Sequence, residues 1–189
     1  MPSAAWTDGS SPWTQGNIRI ARAAMDALER DVIARYGTEE EACGYLAGPA
    51  EDGLLCDETV SLPNVANKLH ALDPEAFFRT ARTFFAFNEK KFDDAVKRGQ
   101  AEGRPVKVLY HSHLDTGAYF SATDAAVLSF GQPPAVEGGP STLGPGPQWP
   151  LAFLVTSVVE ATECPRIAEH RLYIWSGTEF VEAPFSVEG

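Results

Sequence analysis

Cysteine is scarce in this chain: 3 in 189 residues, at Cys43, Cys56 and Cys164, with no two in a C-x-x-C arrangement. That excludes a disulfide framework and makes a reducing cytoplasm the expected compartment. Positive charge is short as well, with 15 Lys and Arg against 26 Asp and Glu for a formal net charge of −11. So acidic a surface repels phosphate backbones and anionic headgroups, so neither nucleic acid nor a membrane surface is an expected partner. No apolar run nears the length of a spanning helix, about 18 residues. Before Arg19 there is no Lys or Arg and no apolar core, so no secretory signal is expected there.

What the chain does have is core material. Hydrophobic residues make up 44%, with 11 Phe and 4 Trp, in a length that suits one domain. Residues 1–16 are rich in Ser, Gly and Pro and read as an N-terminal tail, with Trp6 and Trp13 as candidates for docking onto the body. Residues 17–189 read as the domain.

Ile18-Arg19-Ile20 alternates as a short strand does. Met25, Leu28, Val32 and Tyr36 then recur at helical spacing, predicting a helix over 22–36 that stops at Gly37. Residues 42–48 read as a buried strand and 54–62 as its hairpin partner, with the turn at 49–53. Asp73-Pro74 has the form of a helix start, and Phe77, Ala81, Phe84, Phe85, Asn88, Phe92 and Val96 keep a 3.6-residue period to about residue 98. Val106–Tyr110 predicts a strand, and Ser121 or Thr123 a cap for a helix over 122–130. Residues 131–150, of which eleven are Gly or Pro, form a long loop of the kind that is functional or disordered. Closing strands are expected over 151–159, 170–175 and 180–181. Helices set between strands make the fold class α/β or α+β.

The stretch that carries chemistry is Tyr110-His111-Ser112-His113, followed by Ser121 and Asp124. Residues i and i+2 of a strand point to the same side, so both imidazoles can reach one metal. Asp124, in the first turn of the next helix, can swing back as an oxygen ligand. Two histidines and one carboxylate with a fourth position open suit a catalytic zinc. A lone H-x-H is more often a pair of strand-end histidines; Ser121 and Asp124 in register shift the balance to a site.

With Glu41-Ala42-Cys43-Gly44-Tyr45-Leu46-Ala47-Gly48 upstream, the pattern E-x-C-G-x-L-x-G joined to H-x-H-x7-S-x2-D resembles the JAMM (MPN-plus) zinc metalloproteases, and its GAYFSATD version resembles their bacterial JAB-type members. Asn64 within LPNVAN adds to the likeness, which covers roughly residues 18–182. It implies a mixed, mainly antiparallel curved sheet flanked by helices, the MPN/JAB-like fold akin to that of cytidine deaminases. It also implies one Zn2+ per chain on His111, His113 and Asp124, Glu41 as general base for attack by a zinc-bound water, and Ser121 as donor to the oxyanion. Glu41 ends the run Glu39-Glu40-Glu41, an ordinary solvated face in most proteins, and Glu40 is its neighbouring alternative. The substrate implied is a ubiquitin-like or sulfur-carrier protein with a Gly-Gly C-terminus, cut after that tail, with E1- and E2-like proteins of the same pathway as further partners.

Two departures stand out. Leu114 occupies a position where many members have Pro, and the 131–150 insertion is longer and richer in Pro and Gly than is typical. The insertion holds no His or Cys for a second zinc, and its place after the Asp124 helix predicts that it borders the cleft. His70 reads as a surface histidine, His170 and Cys164 as isolated, and Cys43 as a small buried residue with no basic neighbour to activate it. The competing readings are a catalytically silent MPN-type scaffold working through protein contacts, and a metal-binding protein needing neither Glu41 nor Ser121.

Overall fold

The computed structural model describes residues 11–189. Strand β1 (Ile18–Ala21) turns Ile18 and Ile20 inward and leads into helix α1 (Arg22–Tyr36), which buries Ala24, Met25, Leu28 and Val32. Strand β2 (Cys43–Ala47) is buried along its whole length. The short β3 (Leu55–Cys56) and the half-buried β4 (Glu58–Leu62) follow. Helices α2 (Ala66–Leu72) and α3 (Glu89–Ala101) precede β5 (Val106–Leu114), again wholly buried. Helix α4 (Ala122–Leu128) and strands β6 (Ala152–Val159), β7 (Arg166–Trp175), β8 (Phe180–Ala183) and β9 (Phe185–Glu188) complete the chain.

Six strands form one sheet in the order β4-β2-β5-β6-β7-β8, and β3-β1-β9 form a second. In the larger sheet the β5–β6 pair alone runs parallel. The fold is therefore mixed and mainly antiparallel, flanked by helices, as expected. Strand alternation sorts its side chains into two cores. Leu46, Val108, Tyr110, Leu154 and Leu172 meet α1 on one face, whereas Tyr45, Leu109, Phe153 and Val155 meet Phe85, Phe92 and Trp149 on the other. At Gly44 an added Cβ would lie 2.3 Å from the Val60 carbonyl oxygen and 2.5 Å from the Tyr110 ring, so only glycine lets β2 sit this close.

Of the helix expected over 73–98 only the last part, from Glu89 on with Phe92 and Val96 buried, forms. The chain instead makes α2, a turn-rich stretch over 73–88, and then α3, which Asn88 caps by accepting from the Lys91 N–H at 2.9 Å. Two asparagines supply what a helix would otherwise give that backbone. Asn64 Nδ2 donates to the Glu41 and Phe84 carbonyls while its Oδ1 accepts from Ala66 and Ala86 N–H. Asn67 Oδ1 accepts from Ala81 N–H. Asp73, read as a helix cap, accepts from Glu75 and Ala76 in a local turn. The Phe residues of 77–87 thus face a cleft instead of forming one helical stripe. Strand β9 was not anticipated, and β5 runs four residues beyond Tyr110 to carry both motif histidines.

Trp13 does dock: Nε1 donates to the Pro150 carbonyl at 2.9 Å, and the ring packs on the first core. Trp6 lies outside the described residues. Among the described residues no helix is long and apolar enough to cross a membrane.

Candidate metal centre

Strand β5 puts His111 and His113 on the same side of the sheet, and helix α4 brings Asp124 against them. All three are buried. His111 Nε2 and His113 Nε2 stand 3.2 Å apart, and Asp124 Oδ2 lies 3.3 Å from the first and 3.5 Å from the second. Ligand atoms on tetrahedral bonds of about 2.0–2.1 Å stand about 3.3–3.4 Å from one another. The donor set therefore fits one metal ion in both chemistry and spacing.

The surroundings fix how each ligand is presented. His113 Nδ1 donates to the Gly117 carbonyl at 2.9 Å, which leaves the Nε2 lone pair facing inward. The His111 ring is stacked on Phe85 at a centroid distance of 4.4 Å. Ser121 caps α4: its Oγ accepts from the Asp124 N–H at 3.0 Å and donates to Asp124 Oδ2 at 2.5 Å, while Ser121 N–H donates to the same oxygen at 3.2 Å. Burial acts to raise the Asp124 pKa, but the two imidazoles outweigh it and hold the carboxyl far below the usual range. Burial lowers His111, whereas at His113 the Asp124 charge overcomes burial and raises the ring.

Glu41 is 5% exposed and lines a cavity of about 340 Å³ together with His113, Ser121 and Asp124. Two backbone anchors hold it there: its N–H donates to the Ala81 carbonyl at 2.7 Å and its carbonyl accepts from Asn64. Burial raises its pKa well above the ordinary range, Asp124 adds to the rise and Arg79 opposes it. Glu40 is spent elsewhere, 3.2 Å from Arg35 Nη1 and accepting from Asn67. Glu39 pairs with Arg82. Of the acidic run, then, Glu41 reaches the cavity and its two neighbours do not line it. Burial pushes the Cys43 thiol up to about 12, so it is no nucleophile.

The 131–150 loop borders the same cavity through Pro134, Glu137, Gly138 and Gly139. Sequence reasoning missed Arg79 and Phe85. Both sit in the segment read as helix, and nothing in their spacing tells that the chain leaves the helical path to bring them to the cleft.

A family model described as prokaryotic homologs of the JAB domain matches residues 19–161. No curated protein matches the chain. Among solved structures, a protein from Desulfitobacterium hafniense is similar at 19% identity and a TM-score of 0.54, over 90% of this chain and 92% of that one. A JAB1/MPN domain protein from Archaeoglobus fulgidus aligns at 14% identity and a TM-score of 0.46, over 91% and 98%. A protein from Salinibacter ruber aligns at 19% and 0.49, over 89% and 90%. At these identities the first of them speaks for the fold alone.

Proposed function

Because this chain belongs to the family of prokaryotic homologs of the JAB domain, we propose that it is a zinc-dependent peptidase or isopeptidase. Its substrate is a ubiquitin-like or sulfur-carrier protein, cut after the C-terminal Gly-Gly. The observation that carries this reading is that a buried carboxylate outside the ligand set, Glu41, shares one cavity with His113, Ser121 and Asp124. A scaffold or a storage site has no use for such a group.

His111, His113 and Asp124 would hold the ion, and two nitrogens with one oxygen suit zinc better than a hard cation. Zinc, when bound there, supplies Lewis-acid charge that acidifies water and polarises a carbonyl. The chain's own residues do the rest. Glu41 takes a proton from the attacking water and returns it to the leaving nitrogen, so that one water is added across the C–N bond. Ser121, on the same cavity wall, turns its hydroxyl toward the carbonyl oxygen as negative charge builds there. A Gly-Gly tail offers only backbone, so it is held extended, by main-chain hydrogen bonds in the manner of an added strand.

The test is a comparison of wild type, Glu41→Gln and His113→Ala on fusions whose ubiquitin-like module ends in Gly-Gly. Glu41→Gln should keep about one zinc per chain and lose about 100-fold or more in turnover. His113→Ala should lose the metal as well. Unchanged hydrolysis in Glu41→Gln removes the general-base assignment. A zinc-loaded wild type that binds such modules without cleaving any of them makes the protein a scaffold.

A further inference from the structure

The polar cavity beside Glu41 adjoins a second one. Arg79, Thr123, Asp124 and Pro134 line both spaces, so a metal-site residue borders each. The second measures about 410 Å³ and is lined by Phe77, Phe84, Phe85, Phe87, Val127 and Trp149 among others. That size falls in the range of small-ligand sites, roughly 300–1,000 Å³, and the lining is of the apolar, aromatic kind they use. Glycine has no side chain to fill it. On the peptidase reading above, on which this inference rests, the group that enters the pocket belongs to the far side of the scissile bond.

Arg79 stands at the junction. Its side chain is 17% exposed, and its Nη2 lies 3.0 Å from Oε2 of Glu137, a loop residue whose own side chain is 79% exposed. Its Nε–H is buried and meets no acceptor among the described residues. A guanidinium presents its donors as a fork that matches a carboxylate, and this fork is only half used. The partner it has is solvent-facing, hence weakly held and open to displacement. The other arginine of the cleft, Arg82, already pairs with both Glu39 and Asp115. In a chain of net charge −11, a carboxylate ligand needs a fixed cation to enter a cleft already holding Glu41 and Asp124.

We propose that these cavities bind the carboxy-terminal residue of the substrate, with an aromatic or large aliphatic side chain in the phenylalanine-lined pocket and its free α-carboxylate on Arg79. Glu137 is the stand-in that this carboxylate replaces. Hydrolysis then places the water oxygen on the glycine carbonyl carbon, breaks the C–N bond and leaves the proton on the departing amine. The products are a Gly-Gly carboxylate and one free apolar amino acid. The enzyme so described trims a linear extension from a Gly-Gly tail. A lysine branch would bring no carboxylate to Arg79 at this position.

Binding can be read without metal. Metal-free protein is titrated with 3-phenylpropionate and with 3-phenylpropionamide, followed by protein-detected NMR. The acid should bind about tenfold tighter or better, and Arg79→Met should remove that preference while leaving the amide's affinity unchanged, which also reports an intact pocket. Arg79→Lys should keep part of the preference, and Val127→Phe, by filling the pocket, should weaken both ligands. Equal binding of acid and amide overturns the proposal. So does a preference that survives Arg79→Met, since the carboxylate would then be held by His111 and His113. In parallel, zinc-loaded enzyme is given N-blocked Gly-Gly-Phe as acid and as amide, and Gly-Gly joined to a lysine Nζ. The acid should be cleaved fastest, with Arg79→Met cutting its kcat/KM about tenfold further than that of the amide, whose hydrolysis shares the change at Glu41 but makes no carboxylate contact. If the isopeptide or the amide is cleaved as well as the acid, the peptidase reading stands and the trimming proposal falls. If nothing is cleaved while Arg79-dependent acid binding persists, the peptidase reading fails and the carboxylate site remains.

Discussion

His170 and His113 are both largely buried histidines beside a carboxylate, yet their pKa values move in opposite directions. At His113 the Asp124 carboxylate outweighs burial. At His170 burial wins: Thr156 Oγ1 sits 2.8 Å from Nδ1, Glu29 Oε1 3.1 Å from Nε2, and Arg22 adds to the lowering. A folded-state pKa below the unfolded value means that the unfolded chain binds more protons as pH falls through about 6.5. Stability at this residue is thus full above that pH and is lost toward the lower folded value. His170→Gln keeps an amide near Thr156 and Glu29 but cannot titrate. Urea midpoints of the metal-free protein at pH 7.5 and pH 5 should therefore differ less in the variant than in wild type. An identical difference would mean that folding leaves the His170 pKa where it stands in the unfolded chain. Residues of this kind are only partly legible in sequence. The H-x-H pair and Asp124 could be read because strand period and helix start fix where they point. Choosing Glu41 over Glu40 needed the family likeness, and the structure supplies its physical basis in the Asn64 and Ala81 bonds to the Glu41 backbone. His170 looked isolated because Glu29 lies 141 residues away in the chain.

At the scale of elements, α4 is where folding and ligation meet. Ser121 and Asp124 form a reciprocal capping box, in which the side chain that caps the helix also orients the ligand carboxylate. Ser121→Ala removes both services. The cap alone is worth about 1 kcal/mol, to be read from the urea midpoint of the metal-free protein. Loss of the hydrogen bond to Asp124 should weaken zinc by about 10- to 100-fold, read by competition with a chromophoric chelator. A variant that loses stability but keeps wild-type affinity would show that the helix alone positions Asp124. The start of α4 was legible because its cap is local, three residues from its partner. The 73–88 segment was not. Its phenylalanines keep a helical period by accident of composition, while the groups that pull the backbone out of a helix, Asn64 and Asn67, are on a different stretch of chain. Periodicity reports which residues want burial; it does not report which distant amide will take their carbonyls.

For the whole molecule the consequence is mechanical: an ion held by His111, His113 and Asp124 ties the middle of the main sheet to α4 and to the loop that follows it. An unfolded chain has no such juxtaposition, so zinc binds the native state and stabilises it by mass action. At a free concentration about 100 times the dissociation constant, the gain is about 2.7 kcal/mol. For a domain of this size each kcal/mol moves the melting temperature by about 2–4 °C, so zinc should raise it by about 5–10 °C. His113→Ala should melt at the same temperature with and without zinc. Magnesium is the necessary control. With a net charge of −11 the surface attracts any divalent cation, and such diffuse binding would raise wild type and variant alike. A hard, oxygen-seeking ion gains little from two imidazoles, so a zinc shift absent from both the magnesium sample and the variant is the signature of this site. Equal shifts in wild type and His113→Ala would place the ion on the acidic surface and leave the buried triad as a hydrogen-bonded cluster.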